Sequence, residues 1–190
     1  MSANNDRFII LISGKQRAGK NEVAERVNKY LNNTFVVVPI AERIKEEYSH
    51  RTGYSIEEID YMKNLYPHVR KALIDLGNEF KKGDLYHWVD LTLEQQGNLI
   101  IPDMRYKYEL ERVEAFNTNT LTIRVEANKD VRARRGTLSN EEDPSETSLD
   151  DYDWWDYFIE NDKNKVSLDI QCEIIADSVE TLMRQAKATV

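Results

Sequence analysis

The stretch FIILISGKQRAGKN, Phe8 to Asn21, decides how this chain folds. Phe8 to Ile12 is a short unbroken apolar run, the pattern of a strand covered on both faces in a parallel sheet. From Asn21 to Leu31, Val23, Ala24, Val27 and Leu31 recur at helical spacing. Between them lies a glycine-bracketed loop, Gly14, Lys15, Gln16, Arg17, Ala18, Gly19 and Lys20, ending on Asn21. Glycines at a strand-to-helix turn let backbone amides close around phosphate groups, and the helix N-terminus adds its positive dipole. Lys20 then reaches the β- and γ-phosphates of a nucleotide as a mobile point charge. One position departs from the usual form of such a loop. Where Ser or Thr normally follows the lysine stands Asn21, whose amide oxygen is read either as a Mg2+ ligand or as a helix cap.

Working outward, the alternation continues. Phe35 to Pro39 predicts a second buried strand, Asn98 to Pro102 a third, Thr120 to Glu126 a fourth and Tyr157 to Ile159 a fifth. Helices are predicted over Ala41–Tyr48, from the Ser55–Glu58 capping box, over Val69–Phe80, Leu85–Gln95 and Tyr108–Phe116. The last helix, about Ser167 to Lys187, is expected to turn Ile170, Ile174, Val179 and Leu182 inward. Strands alternating with helices make this an α/β fold around a parallel sheet. With 190 residues and no low-complexity linker, one domain spanning residues 1–190 is expected.

A net charge of −8 sets the chain against nucleic acid and anionic membrane as partners, so any anion site must be local. The polar start from Met1 to Asp6 lacks a secretion signal's layout, and the single cysteine, Cys172, fits a reducing compartment; a cytoplasmic protein is expected. No apolar run approaches the ~20 residues of a membrane span. His50, His68 and His87 show no metal spacing with Cys172, and Trp88, Trp154 and Trp155 read as core or packing residues.

The remaining candidates are charged. Asp103 is expected just beyond the third strand, at the strand ends where parallel sheets bind ligands, as a Mg2+ ligand or an acceptor of a substrate hydrogen bond. Arg105 offers a bidentate grip on phosphate. The plainer alternative has both merely capping the next helix and pairing with each other. Arg43 and Arg70 are candidates for a second phosphate. Arg132, Arg134 and Arg135 lie in a segment, about 129–153, expected to act as a lid, where Arg132 and Arg135 neutralise the transferring group. The acidic neighbours Glu141, Glu142, Asp143 and Glu146 are expected to pair with those arginines when the lid is open.

These stretches carry a resemblance. The loop, RKALIDLGNE from Arg70 to Glu79, DMRYKYE from Asp103 to Glu109, and PSETSLDDY with FIEN from Pro144 to Asn161 resemble phage-type deoxynucleoside monophosphate kinases. The same landmarks are similar to those of animal-type phosphomevalonate kinases, and together they cover nearly the whole chain. The resemblance implies a P-loop kinase fold with three layers, a five-stranded parallel sheet, a helical acceptor region and an arginine-bearing lid. It implies ATP and Mg2+ as cofactors and a small phosphorylated acceptor, with a second copy of the chain as the one macromolecular partner to consider. It sets Gly14 to Asn21 on the ATP phosphates, Arg70, Asp103 and Arg105 on the acceptor side, and Arg132 and Arg135 in the lid. Arg124 matches an arginine of the phosphomevalonate group.

Tyr106 stands where phosphomevalonate kinases of this type show a second arginine, and its ring suits a nucleobase, so a nucleoside monophosphate is the preferred acceptor here. Phosphomevalonate is the alternative. A dephospho-coenzyme A kinase using Asp103 as base, and a nucleotide-binding module without acceptor, stay open. The implied chemistry is direct in-line transfer, which asks for positioning and charge neutralisation more than covalent catalysis.

Overall fold

The computed structural model describes residues 7–117 and 119–188. Met1 to Asp6, read above as a polar start, lie outside them. The chain divides into two compact units. One takes in the residues up to Val38 together with those from Gln96 onward, and the other is Pro39–Gln95.

The first unit is the sheet. Its strands β1 (Ile9–Ser13), β2 (Val36–Val37), β3 (Leu99–Met104), β4 (Thr120–Glu126) and β5 (Tyr157–Glu160) run parallel in the order β2-β3-β1-β4-β5. Ile10 and Ile12 face one side with Val23, Ala24 and Val27 of α1 (Lys20–Tyr30) and Leu168, Cys172, Ile175 and Val179 of α9 (Lys165–Ala188). Ile9 and Leu11 alternate to the other side, and all four strand residues have no exposed surface. An apolar run without alternation in polarity therefore means what it predicted, a strand covered on both faces.

Three expectations change. The second strand is two residues long, at the sheet edge, with Val36 40% exposed, because Pro39 has no amide for the ladder and opens the next helix. Asp103 lies inside β3 rather than beyond it. Pro102 breaks the ladder there too, so Leu11 pairs with Ile101 but Ser13 with Met104, one extra residue on β3. Such a bulge re-aims a side chain next to a site. Finally, α9 turns Leu168, Cys172, Ala176 and Val179 inward while Ile170, Ile174 and Leu182 stay exposed.

The remaining elements of this unit are α6 (Lys107–Phe116), α7 (Lys129–Arg135) and the single turn α8 (Pro144–Thr147). Trp155 is buried and donates to the Tyr152 carbonyl, whereas Trp154 is 84% exposed and packs no core. Cys172 is free and fully buried, and burial pushes its thiol up to about 12.

The second unit is helical: α2 (Ile40–Thr52), α3 (Ile56–Leu65), α4 (Pro67–Gly83) and α5 (His87–Leu93). The Ser55–Glu58 capping box is formed, each side chain accepting the other's backbone amide. Trp88 is buried and donates to the Gly77 carbonyl. Among the described residues no helix is long and apolar enough to cross a membrane.

Candidate functional site

The strand ends place the loop. Ser13 ends β1, and Gly14 turns at φ +150°, where an added Cβ would stand 2.3 Å from the Val125 carbonyl oxygen of β4. Gly19 caps α1 at φ +101°, and a Cβ there would meet the Asn161 amide at 2.2 Å. Both glycines are thus required twice over, by backbone and by space. Asn21 is the second residue of α1 and exposed, so the cap reading fails: Gly19 holds that position.

Lys20, 9% exposed, folds back over the loop and donates to the carbonyls of Gly14 at 2.6 Å and Lys15 at 3.1 Å. Burial pushes its ammonium down to about 8. Arg105 and Arg124 push the same way, and the carboxylates of Glu146 and Asp103 oppose them. Four charged groups, from β3 and the turn after it, β4 and α8, therefore converge electrostatically on one lysine.

Arg105 is set by its backbone. Its amide and that of Tyr106 both donate to one oxygen of Glu109, a buried carboxylate, at 2.7 and 3.0 Å. Its guanidinium bonds Glu146 and, at 3.3 Å, the Ser145 carbonyl. Tyr106, rather than Asp103 or Arg105, holds the cap position of α6. Arg124 is buried in β4, 3.4 Å from the Ser13 hydroxyl and 3.1 Å from Asp150, with its guanidinium 5.7 Å over the Trp155 ring.

The predicted lid arginines lie against the loop itself. Arg132, buried, donates to the carbonyls of Ala127 and Gln16, each at 3.2 Å, and pairs with Glu141 at 3.0 Å. Arg135 donates to the carbonyls of Arg17 at 3.2 Å and Ala18 at 3.0 Å, and to that of Asn161. Arg134 is exposed. Among the acidic side chains of this segment, Glu141 pairs with Arg132, Glu146 with Arg105, and Asp150 bridges Lys15 and Arg124. Gln16 donates its backbone amide to Glu146 at 2.6 Å and accepts the Ser139 amide on its side chain. Arg17 is exposed at φ +64°.

Arg43 and Arg70 belong to the helical unit. Arg43 pairs with Glu46 one turn on and reaches Gln95 at 3.5 Å, leaving its Nε buried without a partner. Arg70 is exposed on α4. Two residues of this neighbourhood had no sequence-level role. Asn161 is buried and donates to the Ala18 carbonyl at 2.8 Å, and Asp150 joins two cations 109 residues apart in the chain, from Lys15 to Arg124. Neither shows in local pattern, since each acts across more than twenty residues of chain.

Among the described residues no three His, Cys, Asp or Glu side chains gather to hold a metal alone. Mg2+ asks for less, one or two hard oxygens beside phosphate and water. Asp103 fits that donor chemistry, its carboxylate acting on Lys20 from the end of β3.

Comparison with known proteins agrees with this frame. The described fold is similar to that of a gluconokinase from Sinorhizobium meliloti 1021, with TM-score 0.56 at 12% identity, covering 96% of this chain and 99% of that one. At that identity the likeness is one of fold. A phosphomevalonate kinase of Drosophila melanogaster is 26% identical over 167 residues, 82% of this chain and 88% of the relative. Residues 12–120 match the family model described as phosphomevalonate kinase, a span that takes in the loop, Lys20, Asp103 and Arg105. The chain is a kinase and belongs to the phosphomevalonate kinase family.

Proposed function

We propose that this chain transfers the γ-phosphoryl of ATP to the phosphate of phosphomevalonate. The observation that carries the reading is the family match over residues 12–120, which includes both the loop and Arg105. It reverses the order of acceptors preferred from the sequence. The nucleoside monophosphate rested on Tyr106 as a base platform, but that ring is stacked on Tyr108 with centroids 5.1 Å apart, and burial raises its phenol. A face already occupied by a neighbour is a poor platform for a nucleobase.

In this reading the amides of Gly14 to Asn21 and the α1 dipole hold the ATP phosphates, with Lys20 at the β- and γ-groups. An oxygen of the acceptor phosphate attacks the γ-phosphorus in line, the bond to the bridging oxygen breaks, and ADP leaves with that electron pair. The attacking oxygen is already anionic near neutral pH, so no general base is required. Lys20, Arg105 and Arg124 offset the charge that gathers as two phosphates meet. Arg132 and Arg135 hold the carbonyls of the loop and so fix the direction of its amides, and residues 129–153 act as the lid. Mg2+, when bound, neutralises the phosphate oxygens, with Asp103 and Asn21 as the residues that would hold it.

A coupled ADP-release assay across phosphomevalonate and the nucleoside monophosphates tests the acceptor. Release that depends on phosphomevalonate, and is lost in Arg105→Ala with ATP binding retained, is the expected result. Release with a nucleotide and none with phosphomevalonate would overturn the proposal.

A further inference from the structure

One charged interaction at the loop is made by a residue that the reaction does not call for. Glu146, with 7% of its side chain exposed, places one carboxylate oxygen 2.6 Å from the Gln16 backbone amide and the other on the Arg105 guanidinium. Its negative charge also acts on Lys20. A backbone amide from a glycine-bracketed loop, a guanidinium and a lysine form the donor set of a phosphate site, and a carboxylate is the nearest side-chain imitation of a phosphate. Loop amides at a helix start do not need a carboxylate for their own sake, since water or phosphate serves them equally.

We infer that Glu146 is a resident stand-in for a substrate phosphate: it occupies an anion subsite made by the Gln16 amide and Arg105, and an incoming phosphate displaces it. This deepens the reading of the chain as a kinase of a phosphorylated acceptor and rests on it. The displacement has a mechanical consequence. α8 is also held at the site through its backbone, because Lys15 of the loop donates to the Glu146 carbonyl at 2.7 Å and Arg105 to that of Ser145. When the Glu146 carboxylate leaves, its bonds to the Gln16 amide and to Arg105, which help to hold Pro144–Thr147 in place, leave with it. Phosphate capture and release of this segment are then one event, and the site pays for its preorganisation with a built-in competitor.

Inorganic phosphate, titrated against the full chain at constant ionic strength with chloride as the balancing salt, tests the inference without ATP or phosphomevalonate. Glu146→Gln keeps the shape and one acceptor but removes the charge, and Glu146→Ala empties the subsite. Both are expected to bind phosphate about tenfold more tightly than the parent, because a charged competitor has gone. In the parent, phosphate is also expected to speed amide hydrogen exchange over residues 145–147. A merely structural Glu146 moves affinity the other way, since its loss would loosen the loop. Unchanged or weaker phosphate binding in both variants, each shown folded by its melting curve, would overturn the inference. Such a failure is distinct from failure of the acceptor reading, which shows as a parent inert towards phosphomevalonate whatever its phosphate affinity.

Discussion

Lys20 Nζ lies 2.6 Å from the carbonyl oxygen of Gly14, six residues back along the chain. The lysine that should reach for the β- and γ-phosphates is folded over its own loop, almost fully buried and held well below the ordinary lysine range. Incoming phosphates offer it better acceptors than two carbonyls, so nucleotide binding should draw it off the loop. Lys20→Met is expected to lose turnover by several orders of magnitude because it removes charge needed in the transition state. The fold should survive. A buried ammonium with a depressed pKa costs stability below about pH 8, and that cost vanishes as pH rises toward the unfolded lysine value. Replacing it with an apolar chain removes the same cost. Near-normal kcat in a folded variant would remove Lys20 from the chemistry.

The depressed lysine also predicts a pH profile. In the free enzyme the Lys20 proton is lost above about pH 8, so kcat/KM for ATP should fall about tenfold per unit beyond that point. Bound phosphates favour the charged form and raise the pKa, so kcat at saturation should stay flat to higher pH. Asp103 is one of the two carboxylates that favour the charged lysine. Asp103→Asn should therefore shift the alkaline break downward in pH, besides raising the Mg2+ concentration needed for half-maximal rate. A break that stays in place in Asp103→Asn would separate the two residues.

Asn161 and Arg135 share the Ala18 carbonyl, at 2.8 and 3.0 Å. Asn161→Ala removes a buried hydrogen bond while Arg135 keeps that carbonyl satisfied, so the cost should sit at the lower end of about 1–3 kcal/mol. For a chain of this length that is about 2–4 °C of Tm per kcal/mol. Combining it with Arg135→Met strips the carbonyl of both side-chain donors, and the double variant should lose more than the sum. Strict additivity in thermal unfolding would show the two to be independent.

Arg132 is the least exposed of the arginines on α7, and it holds Gln16, Ala127 and Glu141 together. Lysine cannot reproduce a fork that spans three acceptors. Arg132→Lys should therefore lower Tm and raise the KM for ATP together, because the loop it fixes is the one proposed to hold the ATP phosphates. A fall in kcat alone, with stability and KM unchanged, would place Arg132 on the transferring group and not on the loop.

Much of this was legible in the chain because it is local. The loop is announced by glycine spacing between an apolar run and a helical pattern, and β4 runs over the residues predicted for the fourth strand. The α9 face was misread for a physical reason. Val166, Ile170 and Ile174 repeat at helical spacing as well as Leu168, Cys172 and Ala176 do, about 200° around the same helix. Leu168, Cys172, Ile175, Ala176 and Val179 take the inner face and Val166, Ile170, Ile174 and Leu182 remain outside, a choice that apolar spacing alone does not make. The partners of Glu146, Asp150 and Asn161 were illegible because they stand 130, 135 and 143 residues away. Tyr106 misled in the opposite sense, since its partner Tyr108 is only two residues on and takes the ring face assigned to a base.

The central claim is a phosphoryl transfer to a phosphate, and the fate of the γ-phosphorus decides it. Phosphorus NMR of the full chain with ATP, Mg2+ and phosphomevalonate should show the acceptor's single resonance replaced by the two coupled resonances of a P–O–P linkage, in step with ADP. Accumulation of ADP and inorganic phosphate, with the phosphomevalonate resonance unchanged, would contradict the account.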